Sequence, residues 1–319
     1  MTEHLLDEPE NHGMLDDIDA RTRLAGSNKM EILLFSLGTG ENFGINVFKV
    51  KEVSRTPKIT RTPHMPHGVE GLIALRGSII PVISLGKFVK MRGQTTNTES
   101  TMLVTEYSRR TLAFLVDSVD RIIRVDWESV RAPDAMMSGN EGLITAVTET
   151  PSGQLVSILD VEQVLAKALG EIPVAGVERF QEAEENTIFF ADDSPLARRK
   201  IAEVLDKMGV QHKYAVNGRD AWEKLKAVAA SAANEGVPLD KRVKLILVDA
   251  EMPEMDGYVL TRNIKSDFRF KGIPVVMHSS LSSEANKAQG QSVGVDAYVA
   301  KFEPTLLSKT LMPYLQRRP

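Results

Sequence analysis

Residues 187–209 read TIFFADDSPLARRKIAEVLDKMG. A short apolar run, two acids and a serine–proline pair that opens a 3.6-residue periodicity predict one strand followed by one helix. Ser194 can serve as N-cap, Pro195 as the first helical residue and Gly209 as the stop. Leu196, Ile201, Val204, Leu205 and Met208 then share a face. The unit recurs to the end of the chain: HKYAV before RDAWEKLKAVAASA, KLILVD before YVLTRNIKS, PVVMHS before EANKAQGQSV, and AYVAK before PTLLSKTLMPYL. Five such units predict a doubly wound α/β domain over 187–319, because parallel strands need crossover helices and those crossovers are right-handed.

In such a sheet a ligand site forms beyond the carboxyl ends of the strands, where strand order reverses. The polar residues that end the apolar runs should converge there: Asp192 and Asp193, then Asp249, then Ser279 and Ser280, then Lys301. Three carboxylates forced together need a hard divalent cation, and Mg²⁺ takes carboxylates, carbonyls and water. One carboxylate could then accept a phosphoryl group as an acyl phosphate, with Lys301 and a serine hydroxyl gripping its oxygens. Taken singly, Asp192 or Asp193 reads equally well as a helix cap.

Upstream the texture changes. From about Met30 to Leu159 the apolar runs are short and β-rich (ILLFSL, FGINVF, LIAL, SIIPVISL, TMLVTEY, TLAFLV, RIIRV, GLITAV, QLVSIL) and turn residues part them, as in a sandwich or barrel. One helix closes this half, with Asp160 as cap, Gln163 as capping-box partner, and Val161, Val164, Leu165, Ala168 and Leu169 at helical spacing. The division is therefore an acidic tail 1–27, a β domain 28–170, a linker 171–186 in which Val177 and Phe180 could pack, and the α/β domain 187–319. His64 and His67 in TPHMPHG lack a third ligand for a metal site.

Composition removes several classes of function. With no cysteine there is no disulfide framework and no thiolate chemistry. Residues 1–20 carry seven acids and no base, and no Lys/Arg-rich block or recognition helix suggests nucleic-acid binding. No apolar run of about 18 residues suggests membrane insertion, and the first residues lack a signal-peptide pattern, so a cytoplasmic protein is expected.

FFADDSP, LVDAEMPEMDG, VVMHSS and AYVAK resemble the response-regulator receiver domain over 187–318. That resemblance implies phosphorylation of Asp249 by a histidine kinase. It also implies Mg²⁺ bound by Asp193, Asp249 and the carbonyl of Glu251, with Asp192 assisting through water. Ser279 and Lys301 would sense the phosphate, and Tyr298 would be the switch aromatic. KFEP stands where receivers usually place proline directly after the lysine, and 227–243 is longer than in typical receivers, its AVAASAANEG suggesting an extended helix and loop.

Residues 28–170 resemble the CheW domain of bacterial chemotaxis, a pair of small β-barrels, through MEILLFSLGTGENFGINVFKVKEV, TPHMPHGVEGLIALRGSIIPVISL, FLVDSVDRIIRV and GQLVSILDVEQVL. Ala74 stands where those proteins usually have asparagine before LRG. The order of the two domains resembles the CheV coupling proteins. It implies an adaptor, not a conventional enzyme, that joins the kinase CheA to the cytoplasmic tips of chemoreceptors, alongside CheW in arrays, with phosphorylation tuning the coupling or draining phosphate. The rival is a receiver-gated output protein with an unrecognised activity in the β domain. Arg76, in LIALRGSII, reads either as an ion pair with Glu52 or Glu70 or as a docking residue for a partner protein.

Overall fold

The computed structural model of the 319-residue chain describes residues 29–89, 101–107, 110–133, 142–171, 173–180, 187–280 and 284–316. The acidic tail and part of the linker lie outside them.

Ten strands and a closing helix build the first half. They are β1 (Lys29–Ser36), β2 (Asn42–Asn46), β3 (Val50–Arg55), β4 (Val69–Leu75), β5 (Ser78–Ser84), a helical turn α1 (Gly86–Val89), β6 (Thr101–Tyr107), β7 (Arg110–Val116), β8 (Ser118–Asp126), β9 (Ile144–Glu149), β10 (Leu155–Leu159) and α2 (Val161–Leu169). They form two five-stranded sheets, β8-β1-β2-β10-β9 and β3-β6-β7-β5-β4. Each sheet curls over its own small core, around Ile32, Trp127 and Ile158 in one and Ile73, Met102 and Ala113 in the other. A larger core, with Phe35, Phe43, Phe88, Leu103, Phe114 and Val164, lies between them and is closed by α2. These are the two small β units expected. Strand β3 escapes the sequence reading because all but one of its side chains are half-exposed or exposed, so no apolar run marks it.

Arg76 and Gly77 join β4 to β5 with φ of 48° and 81°. Two central residues at positive φ make the mirror-image hairpin turn that matches strand twist, and Gly77 adopts it without a Cβ penalty.

The second half is β11 (Thr187–Ala191), α3 (Pro195–Met208), β12 (Gln211–Ala215), α4 (Gly218–Asn234), β13 (Leu245–Asp249), α5 (Gly257–Ser266), β14 (Val275–Ser279), α6 (Glu284–Ser292), β15 (Ala297–Ala300) and α7 (Pro304–Leu315). The sheet is parallel throughout in the order β12-β11-β13-β14-β15, so the switch point lies between β11 and β13. The capping reading of α3 holds: the Ser194 hydroxyl accepts from the Ala197 amide, and Gly209 ends the helix in the left-handed region. The long segment after α4 contains a further 3-10 turn, Leu239–Lys241.

Val174 and Phe180 of the linker are buried in the receiver core, and the Phe180 amide donates to the Met208 carbonyl. Linker residues on the receiver side are thus part of its packing.

Gly257, the first residue of α5, packs so closely behind the central strand β13 that an added Cβ would lie 2.0 Å from the carbonyl oxygen of Asp249. Backbone cannot yield as a flexible side chain would. Gly257→Ala is therefore expected to destabilise the chain by about 1–3 kcal/mol, the usual cost of overpacking. Denaturant unfolding checks it, and an unchanged midpoint would show that α5 is free to shift.

Candidate functional site

The acids predicted to converge do so. Asp249 ends the central strand, all five residues of which are buried, and Asp192 and Asp193 follow β11 on the other side of the switch point. A carboxylate oxygen from each of Asp192, Asp193 and Asp249 lies within 4.8 Å of the other two. Asp192 and Asp249 are 0 % and 3 % exposed.

Lys301 answers this charge. Its Nζ donates to Asp249 Oδ2 at 2.8 Å and pairs with Asp192 Oδ2 at 2.9 Å. The ammonium is itself buried. Burial alone would lower its pKa, but Asp192, Asp249 and Glu162 outweigh that and hold it well above the usual lysine value. Burial pushes the Asp249 carboxyl up to about 7 against the pull of Lys301, and it pushes Asp192 and Asp193 up to about 7 as well. One ammonium does not neutralise three acids, so the donor set fits a hard divalent cation.

The remaining predicted residues surround this centre. Ser279 ends β14, buried, and its carbonyl accepts from the Lys301 amide at 2.9 Å. Tyr298 is half-buried; burial raises its phenol against a hydrogen bond with Ser279. Its ring stands over Gly290 of α6. His278, opposite Asp249 in the sheet register, is kept neutral by burial and by Lys301. Phe302, in KFEP, takes a positive φ of 61° before Pro304 opens α7.

Sequence reasoning missed what the β domain brings to this site. Glu162, in the first turn of α2, is 1 % exposed, with Oε2 at 3.8 Å from Lys301 Nζ and Oε1 at 3.7 Å from Lys49 Nζ. Burial raises its carboxyl, but Lys301 and Lys49 more than compensate and hold it below the ordinary range. The side chain of Glu251, whose carbonyl was the expected metal donor, accepts from Asn46 Nδ2 at 2.6 Å and lies 3.9 Å from Lys49. Ser194 donates to Asp160 at 3.0 Å, and the Glu254 amide donates to the Trp127 carbonyl at 3.1 Å.

Asp160 does cap α2, accepting from the Gln163 amide at 2.9 Å. The reciprocal half of the capping box is not made, because the Asp160 amide donates to the Leu143 carbonyl instead. Leu169 also departs from the reading: it is exposed, and Glu162 is buried in the same helix.

Arg76 is exposed and pairs with Glu52 at 2.8 Å, while Glu70 pairs with Lys87 at 2.6 Å. Ile79 beside it is 74 % exposed. His64 and His67 join no metal-ligand group among the described residues. No helix among the described residues is long and apolar enough to cross a membrane.

Comparison with known proteins agrees with this architecture. The CheW-like domain family matches residues 31–169, and the response regulator receiver domain family matches 188–311. Chemotaxis protein CheV3 of Helicobacter pylori is 31% identical over 279 residues, covering 86% of this chain and 89% of that protein. Chemotaxis protein CheV1 of the same organism is 28% identical over 327 residues, covering 95% and 98%. Chemotaxis protein CheW of Klebsiella aerogenes is 28% identical over 153 residues, covering 46% of this chain and 87% of its own. With a CheW-like domain, a receiver carrying its acid site, and this likeness along nearly the whole chain, the protein belongs to the CheV family of chemotaxis proteins.

Proposed function

We propose that this chain is an adaptor that couples chemoreceptors to the histidine kinase CheA, and that Asp249 takes a phosphoryl group from that kinase. The observation that carries the reading is the convergence of Asp192, Asp193, Asp249, Ser279 and Lys301 at one switch point, in a receiver fused to a CheW-like domain. In the transfer, an Asp249 carboxylate oxygen forms a bond to phosphorus as the P–N bond of the phosphohistidine breaks. The electron pair of that bond returns to the imidazole, which takes up a proton. Lys301, already on Asp249 Oδ2, orients the carboxylate and holds a phosphoryl oxygen, and Ser279 holds another. Tyr298, next to Ser279, senses the change.

Asp193, Asp249 and the carbonyl of Glu251 would hold Mg²⁺, with Asp192 reaching it through water. The ion would neutralise charge on the phosphoryl oxygens. Millimolar Mg²⁺ is expected to stabilise the chain, by about 2.7 kcal/mol at a hundredfold excess over Kd. A thermal melt with and without the ion checks this, with Asp193→Asn expected to remove the response. An equal shift in that variant would move the ion elsewhere.

The adaptor surface belongs to the β domain, 28–170. Arg76 projects from the two-residue turn and exposed Ile79 lies next to that turn near the start of β5, and an exposed arginine close to an apolar side chain is the composition of an interface anchor. Its ion pair with Glu52 orients Arg76 without burying it. The chain would thus lie in the cytoplasm, on receptor arrays through protein contacts.

A further inference from the structure

The phospho-acceptor site is closed by the other domain. Glu162 reaches it from the first turn of α2, so Lys301 Nζ is shared between Asp249 Oδ2 at 2.8 Å and Glu162 Oε2 at 3.8 Å. That ammonium is the group a phosphoryl oxygen on Asp249 must meet. Phosphorylation would bring about two negative charges and three oxygens into the space Glu162 borders. Asp249 is 3 % exposed, covered by Lys301 of its own domain and bordered by Glu162 from the other.

The other contacts between the domains fall on the same loops. Asn46 and Lys49 hold Glu251 two residues after Asp249, Asp160 holds Ser194 immediately after Asp193, and Trp127 holds Glu254. Arg219, at the start of α4, lies 3.7 Å from Glu128. The β domain thus grips the rim of the acid site, and Glu162 is the acid it brings to Lys301.

We propose that α2 is an intramolecular plug. Glu162 occupies the place at Lys301 that the phosphoryl group takes, so domain docking and phosphorylation of Asp249 exclude each other. Phosphorylation expels Glu162 and uncovers the face of the β domain around Asn46, Lys49 and Trp127. By linkage, a partner that binds only the uncovered face shifts the equilibrium toward the phosphorylated, undocked chain, and the phosphoryl group strengthens binding of that partner by the same factor. The proposal rests on Asp249 as phospho-acceptor.

The test uses the full chain with Mg²⁺ and acetyl phosphate, comparing the initial rate of phosphorylation in wild type, Glu162→Gln and Asp249→Asn. Glu162→Gln keeps the side-chain shape and removes the competing charge. It is expected to label about tenfold faster than wild type, within the usual range of coupling between sites. Equal rates in wild type and Glu162→Gln would overturn the plug while leaving Asp249 as acceptor. Labelling of Asp249→Asn at the wild-type rate would overturn the acceptor, and the plug with it. Hydrogen exchange on the wild-type chain needs no variant to fold. Beryllofluoride, a phosphoryl mimic, is expected to speed exchange at least about threefold at the start of α2 and around Trp127, and unchanged protection there would also overturn the plug.

Discussion

Replacing Asp249 by asparagine is expected to abolish phosphoryl uptake from CheA completely while leaving docking to receptors intact. The effect is all-or-none because an amide oxygen with no negative charge is a poor nucleophile toward phosphorus, and because neither neighbouring acid can substitute. Asp192 is tied to the Ser194 amide at 2.9 Å and to Lys301, and Asp193 stands at the end of another strand. Incubation with radiolabelled phospho-kinase reads the outcome directly. Label on the variant at the wild-type level would show that another residue accepts the phosphate. The variant should remain folded: asparagine has the shape of aspartate and relieves charge repulsion within a cluster of two buried acids and one half-buried one.

Removing Lys301 is expected to produce the largest loss of stability. With Lys301→Met, Asp249, Asp192 and Glu162 lose their shared cation in a buried setting, and breaking such an arrangement costs about 3–5 kcal/mol. The acids would respond by holding their protons more tightly. Mg²⁺ is expected to recover part of the loss, since it supplies positive charge to Asp249 directly and to Asp192 through water. Urea unfolding of the metal-free variant, repeated with Mg²⁺, measures both. A midpoint equal to wild type in both conditions would mean that the three acids are neutral in the folded chain and that Lys301 carries no structural charge balance.

Much of this site was legible in the sequence because its residues end strands. In a parallel sheet the last residue of each apolar run is placed by topology alone, so TIFFADD, LILVD, VVMHS and AYVAK could be laid side by side before any distance was known. The local signals of the β domain were equally readable, since Gly77 follows Arg76 at a turn and Asp160 precedes an amphipathic helix. What could not be read was the contact between the domains. Glu162 is an acid in the first turn of a helix, where the helix dipole favours it on any solvated surface, and nothing in its neighbours announces burial. Lys49 and Asn46 look like ordinary surface residues around a strand end. Their meaning comes from what packs over them, and that is set by residues two hundred positions away. The fate of Phe180 was only partly visible for the same reason: an aromatic in a proline- and acid-rich linker has no periodicity to say which domain it joins.

The two halves of the molecule suit a switchable adaptor. A pair of β sheets presents Arg76 on a short turn with Ile79 on the strand that follows, and a doubly wound domain carries a charge-dense site whose loops are the ones the β domain holds. A phosphoryl group at Asp249 would thus act where the domains meet.

The most direct measurement is co-sedimentation of the full chain with receptor-containing membranes and CheA, with and without phosphorylation of Asp249. The chain is expected to pellet only when receptors or kinase are present, and in an amount that changes on phosphorylation but not in Asp249→Asn. A chain that stays in the supernatant in every condition would contradict its role as an adaptor.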